Sequence, residues 1–183
     1  LQAGIERFGS AYTAADRDNT ARKLGLRDCR DDDVAAIRDL FALMHESEAD
    51  MTLAFRALVD IDLDTPSIET LGDAFYDATK RDAMHTRWQA WLNAYAARVR
   101  EDALPEPQRR ALMQAANPKY VLRNYLAQEA IDRAEQGDID GVTDLLDLLR
   151  RPYDEQPARA KFAQKRPDWA RSRAGCSMLS CSS

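Results

Sequence analysis

Cys176 and Cys181 stand close together near one end of a chain whose only other cysteine is Cys29. Thiols near a chain end oxidise more readily than buried ones, so both are redox candidates, and accidental exposure accounts for them equally well on chemical grounds. Dedicated thiol oxidoreductases use Cys-x-x-Cys at a helix N-terminus, and the wider spacing here counts against that activity. An odd, sparse set of cysteines does not make a secreted disulfide framework, so a reducing, cytoplasmic setting is expected.

The second group with chemical potential is Asn117-Pro118-Lys119-Tyr120-Val121-Leu122-Arg123-Asn124-Tyr125-Leu126-Ala127-Gln128. Asn117 is expected to cap a helix that opens at Pro118 and runs to about Glu135. Arg123 and Asn124 then fall among Tyr120, Val121, Leu122, Tyr125 and Leu126. A polar pair so placed either ties neighbouring backbone groups together or meets a ligand or partner domain. Asn117, Arg123 and Asn124 are therefore candidates for a structural or interdomain clamp.

Other constellations read more simply. Asp31-Asp32-Asp33, the Asp60/Asp62/Asp64 alternation and Asp138/Asp140 are expected as helix caps and solvated connections. The middle group lacks the glycine and closing glutamate of a calcium loop. His45 and His85 fall at polar helix positions, and no spacing draws them to the cysteines as a zinc site. Arg22-Lys23 and Arg109-Arg110 are expected on solvated faces. The sequence contains no Gly-rich phosphate loop, Gly-x-Ser-x-Gly elbow or His-Glu-x-x-His helix.

The elements that must position these residues read as helices nearly throughout. Ile5, Phe8, Tyr12 and Ala15 recur at helical spacing up to Leu24-Gly25-Leu26. Val34, Ile37, Leu40, Phe41 and Met44 follow an acidic first turn, and Asp50 caps a helix through Met51, Phe55 and Leu58. Thr65-Pro66 is expected to open a helix with Ile68, Leu71 and Phe75. Met84, Trp88, Trp91, Leu92, Tyr95 and Val99 are spaced for burial in a longer one. After the Pro105-Glu106-Pro107 break comes a short helix, then the Asn117 segment. Asp138 caps a last helix bearing Val142, Leu145, Leu146, Leu148 and Leu149, which Pro152 ends. Without sustained period-two alternation, the expectation is an all-α fold of about seven or eight helices plus an extended tail. Residues 1–151 form the helical domain, and 152–183 form a basic tail pinned at Phe162 and Trp169.

At 183 residues, one cored domain is expected. The net charge of −5, from 31 acids and 26 bases, argues against nucleic acid as a partner. No apolar run approaches the roughly 18 residues that cross a bilayer, so no membrane partner is expected. From Arg151 onward bases outnumber acids, and this tail is expected to lie against its own acidic body.

Four pieces in order resemble the selenoprotein O family, the kinase-like protein adenylyltransferases. They are Arg22-Lys23-Leu24-Gly25-Leu26, Asp50-Met51-Thr52-Leu53-Ala54-Phe55-Arg56, the Asn117 to Tyr125 run, and Ser180-Cys181-Ser182-Ser183. The resemblance implies a protein-kinase-like fold that transfers AMP from ATP to protein hydroxyls with Mg2+ or Mn2+. It covers essentially the whole chain but only the C-terminal portion of the family's length, and the chain begins at Leu1 inside a helical pattern. The expectation is thus the C-terminal part of a longer enzyme, inactive alone and binding no cofactor itself. Its partners would be an N-terminal kinase-like lobe of the same polypeptide and the protein substrates. No residue here matches the family's nucleotide, metal or catalytic motifs. Cys181, at the position where some members carry selenocysteine, and Cys176 are the family-type positions the resemblance implies, with Cys181 as a redox latch. The alternative is an all-helical protein-interaction module with a redox-sensitive tail.

Overall fold

The computed structural model describes residues 2–173, Gly175 and Cys176, apart from the side chains of residues 2–4 and 6. Among these residues there are eight α-helices and three 3₁₀ segments, and the only strand-like pairing is an isolated antiparallel bridge between Ala49 and Phe75. The fold is all-α. The chain forms two compact units, Leu1–Asn117 and Pro118–Ser183. The composition-based boundary between 151 and 152 falls inside the second unit.

The first unit contains α1 (Gln2–Leu24), α2 (Asp31–Glu46), α3 (Met51–Leu58), a 3₁₀ segment Ile68–Ala74, α4 (Ala78–Ala83), α5 (His85–Asp102) and α6 (Glu106–Ala116). The acidic start of α2 works as the sequence suggests. Asp33 accepts the Arg30 backbone N–H at 2.8 Å and also binds Arg98 of α5. Asp50 caps α3 by accepting the Leu53 N–H at 3.1 Å. The predicted face of α5 is the core: Trp88, Trp91, Leu92, Tyr95 and Val99 are all buried. Its polar atoms are satisfied, as burial requires. The Trp88 indole donates to Ser47 Oγ at 3.2 Å and the Trp91 indole to the Ala36 carbonyl at 2.9 Å. Each fully buried apolar side chain of this kind stabilises the unit by roughly 1.5–3 kcal/mol.

Two expectations for this unit are corrected. The helix expected from Thr65-Pro66 is instead the 3₁₀ segment, capped by Ser67, whose Oγ accepts the Glu69 N–H. Thr65 is occupied elsewhere, its N–H and hydroxyl both bonding the Asp62 carboxylate. Ile68, Leu71 and Phe75 are nonetheless buried. The second correction concerns faces: Ile5, Phe8, Tyr12, Phe41 and Met51 have helical spacing but are exposed.

The second unit contains α7 (Asn124–Glu135), α8 (Asp140–Leu149) and 3₁₀ segments Pro157–Ala163 and Asp168–Arg171. Its core is Tyr120, Tyr125, Leu126, Ala130, Leu145, Leu148, Ala170 and Cys176, with Phe162 and Ala163 against it. The chain beyond Pro152 therefore contributes to this core. Arg173 pairs with Asp132 of α7, and Trp169 meets Tyr125 edge-on at 6.1 Å. On α8, Leu145 and Leu148 are buried while Val142 and Leu146 are exposed, so only part of the expected apolar stripe is used.

The helix expected from Pro118 begins only at Asn124. The backbone N–H groups of Lys119 and Tyr120 both donate to the Pro152 carbonyl, at 2.8 and 3.0 Å, and the Tyr120 hydroxyl donates to the Gln156 carbonyl. Those bonds hold the segment extended. Pro118 also disfavours helical geometry at Asn117, which sits at φ −115°, ψ 104°.

Candidate functional site

Lys23, Arg56 and Asn117, one residue from each of three of the four family-like pieces, meet at the C-terminal end of α1. An α-helix ends with four carbonyls that lack partners within it. On α1 these belong to Ala21, Arg22, Lys23 and Leu24, and all four are satisfied. The Leu26 N–H donates to Ala21 at 2.8 Å and the Gly25 N–H to Arg22 at 3.3 Å. That pair is a Schellman ending, with Gly25 in the left-handed region at φ +71°. The Asn117 side-chain amide donates to the Lys23 carbonyl at 3.0 Å, and the Tyr95 hydroxyl donates to the Leu24 carbonyl at 3.0 Å.

Lys23 and Asn117 also close the end of α6. The Lys23 ammonium donates to Asn117 Oδ1 at 3.2 Å and to the Ala116 carbonyl at the end of α6, and it lies 4.9 Å from the centre of the Phe55 ring. Arg56 donates to the Asn117 carbonyl at 3.3 Å. Partial burial pushes the Lys23 pKa below its ordinary value. The electrostatics nonetheless suit a cation, because carbonyl dipoles at a helix C-terminus attract positive charge.

Arg109, expected on a solvated face, is fully buried. Its guanidinium donates to both Glu106 carboxylate oxygens at 2.8 and 2.9 Å and to the Val59 carbonyl, just past the end of α3, at 2.9 Å. Its hydrogen bonds hold the Glu106 carboxyl below the usual range. The available signal was position: Arg109 shares a helical face with Met113, the other buried side chain of α6. Lys23 was likewise placed on a solvated face, since a dibasic pair gives no hint of which member turns inward.

The clamp candidates are divided between the two units. Asn117 is 1% exposed and belongs to the first unit. Arg123 and Asn124 belong to the second, where Arg123 precedes α7 and its carbonyl accepts the Leu126 and Ala127 N–H groups. The Asn124 side chain is exposed. Cys176 is buried against the second core at 4% exposure, so the reactive-thiol expectation does not suit it. Cys181 lies outside the described residues.

These side chains do not fit a triphosphate or its metal. Lys23 and Arg56 direct their charge to backbone carbonyls, and Arg109 directs its charge to the Glu106 carboxylate and the Val59 carbonyl. Asp62 is occupied by Asp64 and Thr65, and Asp33 by Arg98. Among the described residues no three His, Cys, Asp or Glu side chains group as metal ligands, and no helix is long and apolar enough to cross a membrane. A groove of about 920 Å³ between α2 and α5 has Ala36, Leu43, Trp91 and Tyr95 among its lining residues. Arg98, also in its lining, is bound to Asp33 and Asp102.

Comparison with known proteins shows the family. The family model described as protein adenylyltransferase SelO matches residues 1–150. A protein nucleotidyltransferase YdiU of Xanthomonas axonopodis pv. citri is 60% identical over all 183 residues. Its counterparts in Xanthomonas oryzae pv. oryzae and Xanthomonas campestris pv. campestris are 59% and 58% identical over the same span. In each case the chain covers 35% of the relative's length. The chain belongs to the SelO family of protein adenylyltransferases.

Proposed function

We propose that this chain is the helical scaffold of a protein adenylyltransferase, which transfers AMP from ATP to Ser, Thr or Tyr hydroxyls of proteins with Mg2+ or Mn2+. Nucleotide binding and catalysis would belong to the remaining kinase-like portion of the polypeptide. The observation that carries this reading is how Lys23 and Arg56, from the family-like pieces, and the buried Arg109 are used. Lys23 and Arg56 close the end of α6, and Arg109 is held by the Glu106 carboxylate and the carbonyl at the end of α3, so their charge is taken up within the fold rather than offered to phosphate. Phosphoryl and nucleotidyl chemistry needs cations aimed at developing negative charge. In this reading they lie in the roughly two thirds of the relatives' length that this chain does not span, the chain covering 35%.

Cys181 is the thiol we assign to redox control, since Cys176 is packed into a core. The assignment fails if a Cys181→Ser enzyme responds to oxidant as the parent does.

The test is incorporation of α-labelled ATP, with Mg2+ or Mn2+, by the 183-residue chain and by a polypeptide extended to the relatives' length. Label from the extended protein alone is the expected result. Transfer by the 183-residue chain itself would overturn the scaffold assignment.

A further inference from the structure

The two ends of α1 are in contrasting environments. Near its C-terminal end Thr20, Ala21 and Leu24 are buried, and all four terminal carbonyls are capped. Toward its start, every described side chain from Ile5 to Asp16 is exposed. This arm is about 18 Å long at 1.5 Å per residue. Ile5, Phe8 and Tyr12 recur at i, i+3 and i+7 on one face and are 65%, 72% and 64% exposed. Phe8 and Tyr12 stack on each other at 6.3 Å.

Such an arm does not hold itself together. A helix of about a dozen residues is marginal in water without a tertiary partner, and each interior glycine costs about 1 kcal/mol relative to alanine. Gly9 lies within it, with nothing within 4 Å of the space a Cβ would occupy. An apolar stripe on so weak a helix needs a covering surface to stay helical.

We infer that the Ile5–Phe8–Tyr12 face of α1 docks against the part of the relatives' polypeptide that lies outside this chain. This rests on the scaffold reading. Two observations select that occupant. The family match includes the arm, since it spans residues 1–150, so the stripe is part of the shared domain rather than an appended tag. The area also suits an intramolecular contact. Three such side chains offer roughly 400 Å², about half of the 800 Å² per partner that a stable association of separate proteins needs. Within one polypeptide the partner is already at high effective concentration, so a small apolar contact suffices.

The experiment is amide hydrogen exchange over residues 9–16, in the 183-residue chain and in the protein extended to the relatives' length. These amides should exchange within about tenfold of the unfolded rate in the shorter chain and at least about 100-fold more slowly in the longer one. Phe8→Asp in the longer protein should abolish that protection and leave the amides of Leu24 to Leu26 as slow as before. Equal, fast exchange in both proteins overturns the inference, as does arm protection that survives Phe8→Asp. Protection in the shorter chain that rises with concentration alongside a doubled mass would assign the face to a second copy. Protection only on added lipid vesicles would assign it to a membrane, and either result overturns the inference. The readout does not depend on AMP transfer. A longer protein that protects the arm but transfers no label refutes the enzymatic reading and leaves the docking intact.

Discussion

Lys23 and Asn117 bond each other twice in opposite directions: the Asn117 amide nitrogen donates to the Lys23 carbonyl at 3.0 Å, and the Lys23 ammonium donates to Asn117 Oδ1 at 3.2 Å. Only one orientation of the amide allows this, because a carbonyl can only accept and an ammonium can only donate. The pair therefore joins the ends of α1 and α6, which are far apart in sequence.

Removing Asn117 strands the partly buried Lys23 carbonyl, and Asn117→Ala should cost about 1–3 kcal/mol in urea denaturation. Asn117→Asp keeps the acceptor for Lys23 but loses the donor to its carbonyl, so its loss should be smaller than that of the alanine variant. A double-mutant cycle with Lys23→Met should show coupling of about 1 kcal/mol. Additive losses would show that the two bonds do not act together.

Arg109 spans Glu106 and the end of α3 in a way no other side chain can copy. Arg109→Lys supplies one compact ammonium where a planar fork reaches both Glu106 oxygens and the Val59 carbonyl. Arg109→Met should destabilise by about 2–4 kcal/mol, with the lysine variant recovering less than half of that. Recovery of most of the stability by lysine would mean that burial of the alkyl stem, rather than the fork, is what matters.

Tyr95 gives the first unit a pH dependence in the alkaline range. Burial pushes its phenol up to about 12, against an ordinary value of 10.0. Between those values the unfolded chain has lost the proton while the folded chain keeps it. The contribution is therefore fully present below about pH 10, is lost as pH rises toward about 12, and amounts to roughly 2–3 kcal/mol. Tyr95→Phe should be less stable at neutral pH, having lost the bond to the Leu24 carbonyl, and should show a shallower decline across that window. Parallel declines for the two proteins would assign the alkaline loss to other groups.

The elements with strong periodicity were legible from the chain: the α5 face from Trp88 to Val99, the acidic start of α2 and the Asp50 cap all appear where local chemistry places them. The Asn117 segment was not, because its amides are taken by the Pro152 carbonyl, a partner that capping rules cannot see. The junction was hidden for a related reason. Lys23, Arg56 and Arg109 look like ordinary surface bases until three helix ends are brought together around them. Exposure of Ile5, Phe8 and Tyr12 was equally invisible, since periodicity reports an apolar face without saying what covers it.

Alanine in place of glycine should have opposite effects within the α1 arm and just past the helix's last residue. At Gly25 the backbone is left-handed at φ +71°, and a Cβ would lie 2.7 Å from Arg109 Cγ and 2.8 Å from Met113 Cγ and Sδ. Gly25→Ala must bear the left-handed penalty of about 1–2 kcal/mol and also displace two buried side chains, so the first unit should lose at least about 2 kcal/mol. At Gly9 the space is open and the backbone is already helical. Gly9→Ala should strengthen the arm's helix by about 1 kcal/mol, raising helical circular dichroism while leaving the unfolding temperature of the buried core unchanged. The two responses separate because the capped end of α1 is part of the cooperative core and the arm is not. A lower unfolding temperature for Gly9→Ala would contradict this, since it would require the arm to pack closely within the isolated chain.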